Sequence, residues 1–364
     1  MAKSMTIKKK VILLGIQLVL VGFLAFVLPL YPQMTGVYDK CLYYPLQYTR
    51  DLILGFIPFS IGDVVYVLGG LLALATSIRW GYYVIHWRVQ RVRLGVSVLS
   101  AINVCLFIYI FFILGWGANY YKAPLRETWE IKAARTDSVA LIRFSTFLVE
   151  KLNATAPYYT VLTFSEANKW SVSNYRACSD SKVKSFGLMV KPTLFGYFME
   201  RLSIEGYYNP FTGEGQVCTW LPSFMRPFVI SHEMAHQAGI AAEGDANLMA
   251  YAIGTVSSSP SFQYSAYFNL WLYAYNRLYR RDSATAQRLK GQLNQLTLAH
   301  IDTMDELNKM YDNDASRYGS ELYDGYLKMH KQKDGIRSYG NVVTNARLLE
   351  EMRQKGMTGL IHVP

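Results

Sequence analysis

Residues Leu94–Tyr121, LGVSVLSAINVCLFIYIFFILGWGANYY, run for 28 positions without a charged side chain. A helix rises about 1.5 Å per residue and a hydrocarbon core is about 30 Å thick, so roughly 20 apolar residues cross it. The stretch therefore predicts a transmembrane helix over about residues 95–117, with Trp116, Tyr120 and Tyr121 as anchors at the interface. Two more stretches read the same way. Val11–Tyr31 is uncharged over 21 residues and follows Lys8, Lys9 and Lys10. A secretory signal shares that basic start, but its apolar region is about 7–15 residues long and ends at small residues. This one is longer and ends in Leu28-Pro29-Leu30-Tyr31-Pro32, which favours a retained anchor over 11–31. The second span covers about 59–78, with Asp63 near its end. The chain thus divides into a membrane domain, 1–121, and a following region, 122–364.

Composition agrees. With 51% hydrophobic and 17% charged residues, the 364-residue chain is neither disordered nor wholly soluble, since a soluble domain is about one-quarter charged. The net charge of +11 is unevenly spread: +7 falls in residues 1–121 and +4 in the twofold longer remainder. Basicity beside apolar segments orients a membrane protein, so no nucleic-acid partner is expected and the lipid bilayer is. Lys3, Lys8, Lys9 and Lys10 at the N-terminus, and Arg79, Arg88, Arg91 and Arg93 between the second and third spans, mark the cytoplasmic ends. Three crossings then put residues 122–364 outside, making a multi-pass protein of the cytoplasmic membrane with an extracytoplasmic C-terminal region. An oxidising compartment permits a disulfide between Cys178 and Cys218; two buried thiols are the alternative.

The external region reads mainly as helix. Thr136-Asp137 caps a helix over Ser138–Leu152, Leu194–Leu202 forms a short one, and Ala246 onward, Gln263–Tyr279 and Ala284–Met310 continue the pattern. Gly206–Gly215 is turn-rich, and Gln216–Trp220, bounded by Gly215 and Pro222, is β-prone and reads as a strand. The expected fold is mainly α, three transmembrane helices followed by a mostly helical domain with a small β element.

The chemistry concentrates in Ser231-His232-Glu233-Met234-Ala235-His236-Gln237-Ala238-Gly239, an H-E-x-x-H motif. Histidines four apart on a helix are about 40° apart in rotation and about 6 Å in rise, so both imidazoles can hold one ion. Glu233 projects beside that ion, where it can take a proton from water, and Zn2+ is the expected metal. Gly239 stops the helix. A catalytic zinc site needs a third protein ligand. On an uninterrupted helix Glu243 would lie about 10 Å beyond His236, out of reach; a turn at Gly239 lets a second helix return a carboxylate. If that helix begins after Gly239, Glu243 and Asn247 share a face while Asp245 points about 200° away from Glu243. Glu243 is the favoured ligand, with Asp245, His300, His330 and His362 as alternatives and Asn247 as a hydrogen-bond partner of a ligand.

Ala242 stands where metzincins carry a third histidine. Glu243-Gly244-Asp245-Ala246-Asn247 instead resembles the E-x-x-A-D segment of glutamate-zincin peptidases, which implies a zinc-binding glutamate and a supporting residue four positions on. Across nearly its whole length the chain resembles the bacterial membrane-protein domain-of-unknown-function family 3810. The likeness lies in Pro58-Phe59-Ser60-Ile61-Gly62-Asp63, Trp116-Gly117-Ala118-Asn119-Tyr120, Pro210-Phe211-Thr212-Gly213-Glu214, the H-E-x-x-H block and Asp334-Gly335-Ile336-Arg337-Ser338-Tyr339-Gly340. It implies a membrane-anchored, zinc-peptidase-like protein.

The expected function is a membrane-anchored zinc metallopeptidase acting on a peptide or protein substrate, with Glu233 as general base and Tyr339 as donor to the tetrahedral oxyanion. Zinc binding without turnover, as an envelope sensor or scaffold, and zinc-dependent hydrolysis of another bond are the alternatives. In zincins generally an edge strand aligns the substrate, and Gln216–Trp220 is the candidate.

Overall fold

The computed structural model describes residues 6–132, 136–178, 188–311 and 339–356. Helix α1 (Ile7–Gly22) continues through one π and one 3-10 turn to Leu30. After α2 (Tyr44–Leu54) come α3 (Ile61–Ile85) and α4 (Trp87–Gly115). The first of these, extended to Leu30, and α3 and α4 are each long and apolar enough to cross a bilayer. They expose side chains such as Val19, Phe26, Leu72 and Phe107, surface that water would penalise and lipid does not. The protein is membrane-associated. Helix α4 starts at Trp87, nearly two turns before the uncharged run, because Arg88, Arg91 and Arg93 are good helix formers and end only the apolar stretch, not the helix. Polar contacts join α1 to α4: Gln17 Nε2 donates to the Asn103 carbonyl at 3.1 Å.

Next follow α5 (Ser138–Thr155), α6 (Phe164–Ala177), strand β1 (Val190–Pro192), the short α7 (Gly196–Arg201), β2 (Gly206–Asn209) and β3 (Glu214–Val217). The chain then continues as α8 (Arg226–Gln237), α9 (Glu243–Val256), α10 (Pro260–Tyr279), α11 (Ser283–Lys290), α12 (Gln295–Tyr311) and α13 (Tyr339–Gln354). The fold is mainly α with one small sheet. Asp137 caps α5 as expected, accepting from Ala140 N at 2.7 Å. The core forms where α5, α9 and α10 meet, around fully buried Leu141, Leu148, Tyr251, Phe268 and Trp271.

Three expectations are corrected. The stretch Ala284–Met310 is two helices: the chain breaks after Gly291, and the Asn294 side chain accepts from Thr297 N at 2.9 Å to begin the next. Cys178 and Cys218 form no disulfide; both are thiols, and Cys218 Sγ donates to the Ile204 carbonyl at 3.1 Å. The strand near Gln216 runs from Glu214 to Val217 and turns before Trp220. It is central rather than an edge: the order is β1-β3-β2, with Val190 opposite Gly215 in parallel and Gly206 opposite Val217 in antiparallel. The turn-rich Gly206–Gly215 closes the β2–β3 hairpin, so β2 takes the edge.

This sheet sits against the start of α3 and the end of α4. Glu214 accepts from Gly62 N at 2.6 Å and forms a buried 2.6 Å ion pair with Lys191. Lys191 also donates to the carbonyls of Leu54 and Phe59. Arg50 donates to the Gly115 carbonyl at 3.3 Å. Glu214 therefore holds the sheet to the membrane helices and does not line a cleft.

Candidate metal centre

Helix α8 begins with Pro227 in its first turn, where a missing N–H costs nothing, and buries Phe228, Ile230, Met234 and Ala235 in the core. It ends at Gly239, whose φ of +84° lies in the left-handed region. Ile240 N bonds back to Ala235 O at 3.0 Å, closing the helix end and reversing the chain. No larger residue fits: a Cβ here would lie 2.8 Å from both Lys122 Nζ and a Tyr43 ring carbon. The reversal lets α9 start at Glu243 and bring its carboxylate back over the histidines.

The result is a convergent donor set. Nitrogen Nε2 of His232 lies 3.1 Å from one Glu243 oxygen, and Nε2 of His236 lies 3.5 Å from the other. One ligating atom from each of the three lies within 4.8 Å of the others, as one ion requires. Each imidazole is oriented from behind. His236 Nδ1 sits 2.7 Å from the Ile240 carbonyl, which only accepts, so Nδ1 carries the proton and Nε2 is left as a donor to metal. His232 Nδ1 sits 3.0 Å from Asn247 Oδ1. Asn247, one turn after Glu243, thus fixes the tautomer of His232 and leaves its Nε2 toward Glu243. On the zinc-binding reading proposed below, Asn247→Ala is expected to weaken zinc binding by about 10- to 100-fold, measured by chelator competition, because such supporting partners contribute that much.

Electrostatics fit a cation. Burial disfavours charge on Glu243, but the two imidazoles outweigh it and hold the carboxyl well below its ordinary range. Burial likewise opposes charge on His236, yet Glu243 beside it raises the imidazole to about 9. The same negative field that holds a proton there would favour a divalent ion in its place. Glu233 is buried at 3% exposure and its carboxyl is pushed up to about 7 by desolvation, with His232 and His236 pulling the other way. Its Oε2 has no hydrogen-bond partner among the described residues.

These groups line a cavity of about 560 Å3 with Trp116, Tyr120, Tyr207, Tyr208 and Tyr273. Gly206 of β2 passes so close that a Cβ would lie 2.8 Å from Glu233 Oε1. Asp245 and His300 lie away from the cavity. Asp245 turns away and accepts from Leu125 N at 2.8 Å. His300 bonds Tyr264 and stacks on Phe224, and burial pulls its pKa to about 4. Tyr339 opens α13, but its side chain lies outside the described residues, as do His330 and His362. Among the cavity residues that escaped the sequence reading, two carry ionisable groups. Glu205, whose carboxyl burial raises, reaches the site through the β2 hairpin. Tyr273 comes from the middle of α10, where its aromatic neighbours disguise it as core.

Fold and centre together define a mainly helical membrane protein whose H-E-x-x-H helix meets a glutamate from the next helix. The chain belongs to the family described as protein of unknown function (DUF3810), whose sequence model matches residues 38–346. No curated protein and no solved structure matches it.

Proposed function

We propose that the protein is a zinc metallopeptidase anchored in the bacterial cytoplasmic membrane, with residues 122–364 and the centre on the extracytoplasmic side. The observation that carries this reading is the convergence of His232 Nε2, His236 Nε2 and the Glu243 carboxylate in one cavity, beside the buried Oε2 of Glu233, which has no partner among the described residues. His232, His236 and Glu243 would hold the ion, and zinc there supplies Lewis acidity that polarises a carbonyl and acidifies water. Glu233 takes the proton from the attacking water and passes it to the leaving amine. Its buried position beside the two histidines suits it to hold and return that proton. Burial holds the Tyr273 hydroxyl protonated, which suits it to donate to the oxyanion, the role also expected of Tyr339. The β2 edge, rather than the central strand, would align an extended polypeptide, since Gly206 passes beside Glu233.

The test is metal content together with hydrolysis of a peptide library by the detergent-purified chain. One zinc per chain and chelator-sensitive cleavage are expected. Zinc without cleavage would favour the sensor or scaffold, and cleavage of esters or other bonds alone would favour a different hydrolase.

A further inference from the structure

Around the start of α3 the protein exposes large apolar side chains from two distant parts of the sequence. Phe56 is 79% exposed and Phe59 44%; Leu194, Tyr197 and Phe198, on and just before α7, are 58%, 63% and 66% exposed. Both groups are tied to the same spot. Lys191 Nζ holds the Leu54 and Phe59 carbonyls at 2.8 and 3.3 Å. Asp63, in the first turn of α3, accepts from Leu194 N at 2.7 Å and from Thr193 Oγ1 at 3.1 Å. The first turn of a membrane-crossing helix is the level at which it leaves the hydrocarbon, so these side chains stand at the height of the lipid headgroups. Their chemistry fits that depth: aromatic rings outward, with the Arg201 guanidinium 4.6 Å from the Tyr197 ring centre.

The other side of the same segment faces the centre. Met199, Leu202 and Ser203 line the cavity, opposite Trp116 and Tyr120 at the end of α4. The cavity is therefore lined by residues that directly follow the collar residues of α7 in the chain, and by the end of a membrane helix. We propose that Phe56, Phe59, Leu194, Tyr197 and Phe198 seat in the bilayer interface and bring the cavity to the membrane surface, where it receives polypeptides tethered to the same bilayer, close to their anchors. The bilayer contact stands on geometry alone; the substrate class rests on the metallopeptidase reading.

The two parts separate experimentally. In the full chain, with Cys41, Cys105 and Cys178 replaced by Ser and buried Cys218 kept, Phe198→Cys or Leu194→Cys is labelled with an environment-sensitive fluorophore in lipid nanodiscs. Doxyl lipid is expected to quench both labels several-fold more than one at Asp302→Cys, an exposed position on α12. Labels at 194 and 198 that respond to aqueous iodide and not to doxyl lipid would overturn the contact. A peptide carried on a transmembrane anchor, with the scissile bond near the bilayer, is then compared with the same peptide free. Tethering is expected to raise kcat/KM by about 100-fold, as confinement to one surface does for other linked pairs. Equal rates would overturn the tethered-substrate assignment. Cleavage of neither, with the labels quenched by lipid, would remove the peptidase reading and leave the bilayer contact in place.

Discussion

Glu233→Gln is expected to retain one zinc per chain and to lose about 100- to 10,000-fold in peptide hydrolysis, the range that a positioned acid–base group contributes. The amide matches the carboxylate in shape and keeps the helix packing, but it cannot accept a proton from water. The substitution does not touch the ligand set, because His232, His236 and Glu243 meet without help from Glu233. It also replaces a carboxyl whose charge burial disfavours, and whose Oε2 has no partner among the described residues, by a neutral amide, so the variant is expected to fold at least as stably as the parent. Metal analysis and turnover on one preparation check both halves. Substantial turnover in Glu233→Gln would remove the proposed mechanism.

The second large effect concerns the third ligand. Glu243→Ala is expected to weaken zinc binding by more than about 100-fold, since loss of a supporting partner alone costs up to about that much. The carboxylate spans both histidines, with one oxygen toward each Nε2. Its loss leaves two neutral donors and no compensating charge for a divalent ion. Asp245→Asn is the control: its carboxylate bonds Leu125 N and faces away from the centre, so zinc is expected to stay. Chelator competition on the two variants gives the answer, and zinc loss in Asp245→Asn with retention in Glu243→Ala would overturn the assignment.

The membrane helices and the motif helix were legible because each is local. An uncharged run specifies a span, and a four-residue spacing specifies a shared face. The phase between Glu243 and Asn247 was readable too, once Gly239 was taken as a stop. What depends on distant partners was not readable. Strand β1 has three residues, and only its pairing with β3 makes it a strand. The edge role of β2 was hidden because glycines and tyrosines that look like a turn also permit close backbone approach to Glu233. Glu205 lies in no motif, and Tyr273 lies in a helix so aromatic that nothing distinguishes a cavity residue from a core one. The break at 291–294 was marked by Gly291 and Asn294, signals that the apolar periodicity on either side outweighed.

The far end of the H-E-x-x-H helix is finished by residues from outside its own region. The Tyr43 hydroxyl donates to the carbonyls of His236 and Gln237 at 3.2 and 3.0 Å, and the Trp116 indole reaches His236 from the end of α4. Gly213 O is shared between Gln237 and Gln47, again from before α3. A newly made chain therefore completes this end of the helix only once the loop after α1 and the end of α4 have been delivered to the same face. On the proposed reading the protein is born latent. Hydrolytic capacity arrives only with correct insertion, and a fragment cut free of its anchor would carry the motif without the scaffold that shapes it.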